Sequence, residues 1–243
     1  MKKLFLIAEF VVALSITSPG VFAQSRSHAD LVNEIAKKRT ELQKLETSFL
    51  APAEEDGQAY AEFLKQPHTG LIRLLPREKY ESEAYKKNEK TLAIRGGGAY
   101  YSFVRLTHEF GYGSDIGLES DYLSMADHGM LTKLGDVSLG EITFEQTGAR
   151  FIATYNPPGE ESKARLEYRR FGDGATIDNE LYQRRVPVEV NQTYLLRSIS
   201  YDRSDVLVAF RTVRKEADGS LIIAWKLLKS YPKTALIRNI PEQ

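Results

Sequence analysis

The sequence contains no cysteine, has no excess of either charge and lacks the short signatures that mark many enzymes. Without thiols no disulfide can brace the fold and no lipoprotein anchor can be attached. An exported chain of this kind depends on its buried core. The 33 Lys and Arg equal the 33 Asp and Glu. With no basic domain or stripe, nucleic acid is not an expected partner. G-x-S-x-G is missing, which excludes the nucleophile elbow of serine esterases. G-x-x-x-x-G-K-S/T is missing, as is G-x-G-x-x-G leading into a helix, so no phosphate-cradling loop is expected. His108 and Glu109 are followed at the fifth position by Tyr112 instead of a second histidine, which removes the zinc-protease helix. We expect no metal and no cofactor.

What is present describes an exported globular protein. The hydrophobic fraction of 42% and charged fraction of 27% belong to a folded chain, and 13 Tyr and 11 Phe supply bulky core material. Lys2 and Lys3 precede a mostly apolar run from Leu4 to Ile16, and Ser18, Pro19 and Gly20 then break any helix. Val21, Phe22 and Ala23 form a cleavage site, so residues 1–23 are read as a signal peptide and the mature chain as beginning at Gln24. Glu9, inside the apolar run, is the one feature against it, and would favour a retained anchor. The apolar run is short for a bilayer, and no transmembrane segment is expected after cleavage. The expected location is a bacterial periplasm or the exterior. Asn191, Gln192 and Thr193 match a glycosylation sequon, which in that setting is read as chance.

Residues 24–66 are expected to form a helical arm. Leu31, Ile35, Leu42, Leu45 and Phe49 recur at helical spacing, Ser27 can cap the start, and Pro52 follows the end. The stripe is interrupted at Lys38 and Arg39, so a helical hairpin packed on the main domain is preferred to a dimerising coiled coil. Residues 54–66 read as a second helix, 70–76 as a short strand or tie to the core, and 77–90 as a charged, exposed stretch. Residues 67–243 are expected to form one β-rich domain.

After Thr91 short segments rich in Val, Ile, Tyr, Phe and Thr alternate with turn residues. Strands are predicted over 99–110, 117–125, 129–134, 149–155, 163–171, 186–190, 193–200, 206–214 and 221–228. Nine short strands without long helices between them predict a mainly β fold, an antiparallel β-sandwich or barrel. The strongest element is the last hairpin. Val206, Val208 and Phe210 face one side and Leu207, Ala209 and Val213 the other, while Leu221, Ile223 and Trp225 oppose Ile222, Ala224 and Leu228. Asp218 and Gly219 form the turn. With both faces apolar, this hairpin should be covered on both sides. Alternation over 163–171 predicts a strand with one wet face.

Residues 93–117 concentrate three glycines (Gly96, Gly97, Gly98), several aromatics, His108 and Asp115. We read them as a strand with a glycine-rich mouth ending in a polar turn. His108 is expected to be a core histidine with one hydrogen bond. If 99–110 and 117–125 pair along their length, Asp127 and His128 lie roughly 25 Å from the turn at 111–115, too far to share a site.

Two functions fit. The first is a non-catalytic binding or structural module for an envelope component, protein or glycan, with Tyr112, Ser114, Asp115, Glu119 and Asp121 as the recognition residues. Glycines 111 and 113 let a ligand approach the backbone, and Tyr112 offers an aromatic plane beside hydrogen-bonding groups. The second is an envelope glycan hydrolase working through a carboxylate pair drawn from Glu109, Asp115, Glu119 and Asp121. A continuous strand would place Glu119 and Asp121 on one face about 7 Å apart. A cleft lined by these acids would favour the hydrolase, and a flat surface the binding module.

Overall fold

A computed structural model describes residues 27–80, 98–108, 110–111 and 113–238. The expected signal peptide, most of the charged stretch after residue 80, Gly96, Gly97, Glu109 and Tyr112 lie outside the described residues. The chain divides after Leu42 into two units. Helix α1 (His28–Leu50) begins in the first. Ser27 and Asp30 cap it reciprocally: the Asp30 N–H donates to Ser27 Oγ at 3.1 Å, and the Ser27 N–H to Asp30 Oδ2 at 3.2 Å. No residue of α1 is buried, and Leu31, Ile35 and Leu42 remain exposed.

The second unit opens with the end of α1 and two short helices, α2 (Glu54–Ala59) and α3 (Ala61–Leu64). Its strands are β1 (Thr69–Leu74), β2 (Tyr100–Tyr101), β3 (Ile116–Glu119), β4 (Tyr122–Met125), β5 (His128–Gly135), β6 (Ala175–Ile177), β7 (Glu180–Tyr182), β8 (Arg185–Pro187), β9 (Thr193–Ser200), β10 (Ser204–Lys215) and β11 (Leu221–Ser230). Their order is β1-β11-β10-β9-β5 in one antiparallel sheet and β2-β3-β4-β8 in a second, with β6 and β7 as a small separate hairpin. The two large sheets share one core and neither closes on itself, so the fold is a mainly β sandwich and not a barrel.

That core takes Val206, Val208 and Phe210 from β10 and Leu221, Ile223 and Trp225 from β11. Tyr101, Ile116, Leu118, Leu123, Met125 and Val186 meet them from the smaller sheet. Phe210 pairs with Trp225 across the hairpin. Gly70 on β1 leaves room for the indole, since a Cβ there would lie 2.5 Å from Trp225 Nε1. The opposite face of the larger sheet, with Leu207, Ala209, Leu195, Met130 and Ala224, is covered by a third layer. This layer comprises α4 (Ala149–Thr154), α5 (Glu161–Asp173) and the β6–β7 hairpin. The hairpin apolar on both faces is therefore central, as its pattern predicts.

Both segments of the third layer that were expected to be strands are helical. In α4 the buried residues are Ala149, Ile152 and Ala153, one helical face. In α5 they are Ala164 and Phe171, two turns apart, while Leu166 and Tyr168 are exposed. The alternation over 163–171 concealed ion pairs three and four residues apart: Lys163 with Glu160, Arg165 with Glu161 and Arg170 with Glu167. Arg197 and Asp205, 1% and 2% exposed at their side chains, bridge β9 and β10 beneath this layer. Arg197 Nη2 donates to Asp205 Oδ2 at 2.9 Å and Nη1 to the Ile152 carbonyl at 3.2 Å, and the Tyr231 ring lies 3.1 Å from its guanidinium.

Candidate functional site

The smaller sheet buries one face and opens the other. Tyr101, Ile116, Leu118, Leu123 and Met125 point to the core, while Tyr100, Gly117, Glu119, Tyr122 and Ser124 alternate outward. Two departures from the expected strands create a cleft on the outward side. The predicted strand over 99–110 is regular only at β2. From Ser102 the chain makes a tight loop, closed by Ser102 N–H donating to Thr107 O at 2.9 Å, with Leu106 at φ 55°. The predicted strand over 117–125 folds in half at Ser120 and Asp121, whose φ of 47° and 61° make a two-residue turn.

That fold-back overturns the 25 Å separation. The strand is too short to carry Asp127 away, and the Ala126 N–H donates to the Asp115 carbonyl at 3.2 Å. Asp127 thus returns beside Gly111 and Gly113. The resulting cleft, about 470 Å³, is lined by Tyr100, Phe110, Gly111, Gly113, Ser114, Glu119, Ser124, Met125, Ala126 and Asp127. Its size is that of a small-molecule site.

The side chains of this cleft are held by their neighbours. The Tyr100 and Phe110 rings lie 4.5 Å apart at 46°. Tyr100 lies across Gly117, where a Cβ would meet the ring at 2.7 Å. Glu119 accepts from the Tyr100 hydroxyl and from Arg77 Nη1, the latter at 2.7 Å, and the Arg77 guanidinium lies 5.8 Å from the Tyr100 ring centre. Asp127 Oδ1 meets His128 Nδ1 at 3.0 Å. Burial pushes the Asp127 carboxyl up, but hydrogen bonds from His128 and Ser200 outweigh this and leave it below the ordinary range. The His128 ring lies between those of Tyr168 and Tyr201, at 5.2 and 5.0 Å. Arg184, stacked 3.5 Å over Tyr168, donates to the Asp127 carbonyl at 2.7 Å.

Of the five residues expected to bind, Ser114 and Glu119 line the cleft. Asp115 does not. It is 1% exposed, with Oδ2 accepting from the Phe103 N–H at 2.6 Å and Oδ1 from Ser198 Oγ at 2.6 Å. It joins the 102–107 loop to β9, and burial raises its pKa despite these bonds. Asp121 sits in the β3–β4 turn and pairs with Lys215 at 2.8 Å, on the surface. Glu119 and Asp121 therefore do not form the expected same-face pair, because the turn interrupts the strand between them. Tyr112 and Glu109 lie outside the described residues. His108 is a packed residue, as expected: its Nε2 meets the Arg73 carbonyl at 2.9 Å, and burial lowers its pKa.

Tyr100, Phe110 and Asp127 belong to the cleft but not to the predicted set. The missed signal is a change of parity. Ile116 and Leu118 are apolar at even positions, Leu123 and Met125 at odd ones. The two-residue turn between them puts all four on one face. Among the described residues no group of three or more His, Cys, Asp or Glu is arranged to hold a metal ion. The chain matches no family model, no curated protein and no solved structure.

Proposed function

We propose that this protein is an exported, non-catalytic binding module that holds a glycan of the bacterial envelope in the cleft on the outer face of the smaller sheet. The observation that carries this reading is the pairing of an aromatic wall, Tyr100 and Phe110, with acceptor groups of Glu119, Asp127, Ser114 and Ser124 around one cavity. Sugars present apolar faces to rings and hydroxyl donors to carboxylates, and this lining offers both. The glycines at 111 and 113, at φ 122° and 108°, bring no Cβ of their own to one rim, where the Arg105 side chain packs beside Gly113.

A cleft with two acids invites the hydrolase reading, but the acids are unsuited to it. Glycoside hydrolysis needs one carboxyl held protonated at working pH to serve the leaving oxygen. Asp127 is shifted the other way, and Glu119 is already occupied by a hydroxyl and a guanidinium. Among the described residues the one acid that burial favours in protonated form, Asp115, is enclosed and held by structural hydrogen bonds.

Sedimentation of the mature protein with purified envelope polysaccharide tests the reading. Binding should fall at least tenfold in Phe110→Ala, whose ring is 38% exposed, with an unchanged melting midpoint. New reducing ends appearing during incubation would replace the binding module with the hydrolase. Export is tested separately: protein recovered from outside the cytoplasm should begin at or near Gln24.

A further inference from the structure

We infer that Arg77, which does not line the cleft, is a positioning residue for its aromatic wall: through Glu119 it fixes Tyr100, and through Tyr100 it backs the exposed ring of Phe110. This rests on the reading above that the wall holds the ligand, and names the residue that sets the wall's geometry.

The chain of contacts starts from a missing side chain. Tyr100 of β2 lies opposite Gly117 of β3. The ring lies over this glycine, where a Cβ would meet it at 2.7 Å, and its hydroxyl reaches Glu119 two residues further along β3. Glu119 alone is a loose anchor, since its carboxylate ends a run of rotatable bonds. Arg77 removes that freedom. Its Nη1 donates at 2.7 Å to Glu119 Oε1, the same oxygen that accepts from Tyr100, and its guanidinium lies 5.8 Å from the Tyr100 ring centre. The Tyr100 ring, 6% exposed, then supports the 38% exposed ring of Phe110 at 4.5 Å. Of the two, Phe110 is the ring that a ligand can lie against.

Arg77 is itself placed from the larger sheet. It follows the end of β1, where the Leu75 N–H donates to the Gly98 carbonyl at 3.1 Å and the Tyr80 N–H to the Pro76 carbonyl at 3.3 Å, opening a helical turn. The next residue in that turn repeats the contact: Glu78 Oε1 accepts from Ser120 Oγ at 2.7 Å, beside the Arg77–Glu119 pair. The Arg77 and Glu119 side chains are 40% and 31% exposed, and an ion pair so open to water adds little to stability. Holding the rings before a ligand arrives does raise affinity, because a wall ordered only on binding subtracts its ordering cost. The pair therefore acts on binding and not on folding.

The test has two readouts. NMR of protein isotope-labelled at tyrosine Cζ reports the Tyr100 hydroxyl without any ligand, and the signal lost in Tyr100→Phe identifies it. That signal should move in Arg77→Ala and return close to its original position in Arg77→Lys, whose ammonium can reach the same oxygen. In sedimentation with purified envelope polysaccharide, Arg77→Ala should bind about fivefold more weakly at an unchanged melting midpoint, and Arg77→Lys within about twofold of the parent protein. In a Phe110→Ala background, Arg77→Ala should cost less than about twofold, because the ring it supports is gone. An unmoved Tyr100 signal, or full affinity in Arg77→Ala, overturns the inference. So does an affinity loss that follows a lowered melting midpoint or adds in full to that of Phe110→Ala, either of which makes Arg77 an ordinary structural contact. If the parent protein does not bind the polysaccharide, the glycan reading falls, and the ligand-free Tyr100 signal still decides whether Arg77 positions the wall.

Discussion

The larger sheet is covered on both faces and the smaller sheet on one, and that difference separates what holds the protein together from what it offers to a ligand. All eight residues of β9 are buried, β10 is buried over most of its length, and β11 is buried over its first five residues. The smaller sheet alternates. Its inward residues complete the sandwich core, and its outward residues, Tyr100, Glu119 and Ser124, form the cleft floor. A cysteine-free protein can leave one sheet face open because the other sheet supplies two cores instead of one. Substitutions in the larger sheet should therefore register in stability, and outward substitutions in the smaller sheet should register in binding.

The largest expected effect is at Trp225, which is 4% exposed and packed against Tyr101 and Phe103 at ring distances of 6.2 and 5.3 Å. Trp225→Ala removes the largest side chain of the shared core and should destabilise by about 3–5 kcal/mol. Denaturant unfolding measures it. A loss under about 1 kcal/mol would erase the distinction between the sheets.

Asp115→Ala should be next, at about 2–3 kcal/mol, because it leaves the Phe103 N–H and Ser198 Oγ unpartnered in a buried setting. Asp115 sharpens the comparison because it is adjacent in sequence to a cleft residue yet belongs to the core. Any binding loss should follow the loss of folded protein. A variant that melts normally and fails to bind would return Asp115 to the recognition surface.

The third effect is on pH dependence. His108 is half-buried with its Nε2 on the Arg73 carbonyl, and desolvation depresses its pKa below 6.5. The unfolded chain then takes up a proton at a higher pH than the folded one does. Stability from this group is present above about 6.5 and is lost as the pH falls from there through the lower folded value. The melting midpoint should decline between pH 7 and pH 5, and His108→Gln should flatten that slope. An equal slope in both proteins would remove His108 from the account.

The legibility of the chain follows the same division. The β10–β11 hairpin was readable because both faces are apolar and its turn carries Asp218 and Gly219. Helix α5 was not, because ESKARLEYRRFGD fits period two and period 3.6 over a short span. The absence of Val, Ile and Thr and the charge pairs three and four apart were the deciding signs. The cleft was half legible. Ser114 and Glu119 were in reach because they neighbour the glycine turn. Asp127 was lost to one unread turn, which misplaced residues 120–128 relative to the glycine turn. Arg197 and Asp205 were not legible at all, since nothing local marks a charge that finds its partner eight residues away across a hairpin.

The smallest expected effect tests that unread turn directly. If 117–125 were one strand, Glu119 and Asp121 would share a face and act on a ligand together. In the folded-back hairpin Asp121 points away from the cleft to Lys215, with side-chain exposures of 71% and 37%. An exposed pair of this kind contributes at most about 1 kcal/mol and often nothing measurable. Asn is the appropriate replacement, because Asp121 has φ 61° and Asn tolerates that conformation where Ala would add strain. Asp121→Asn should change unfolding free energy by less than about 0.5 kcal/mol and glycan affinity by less than twofold. Glu119→Gln, two residues earlier, weakens the bond to Arg77 and should reduce affinity severalfold at a similar melting midpoint. If Asp121→Asn instead costs binding as much as Glu119→Gln does, the two carboxylates work as a pair, and the turn at 120–121 does not divide them in solution.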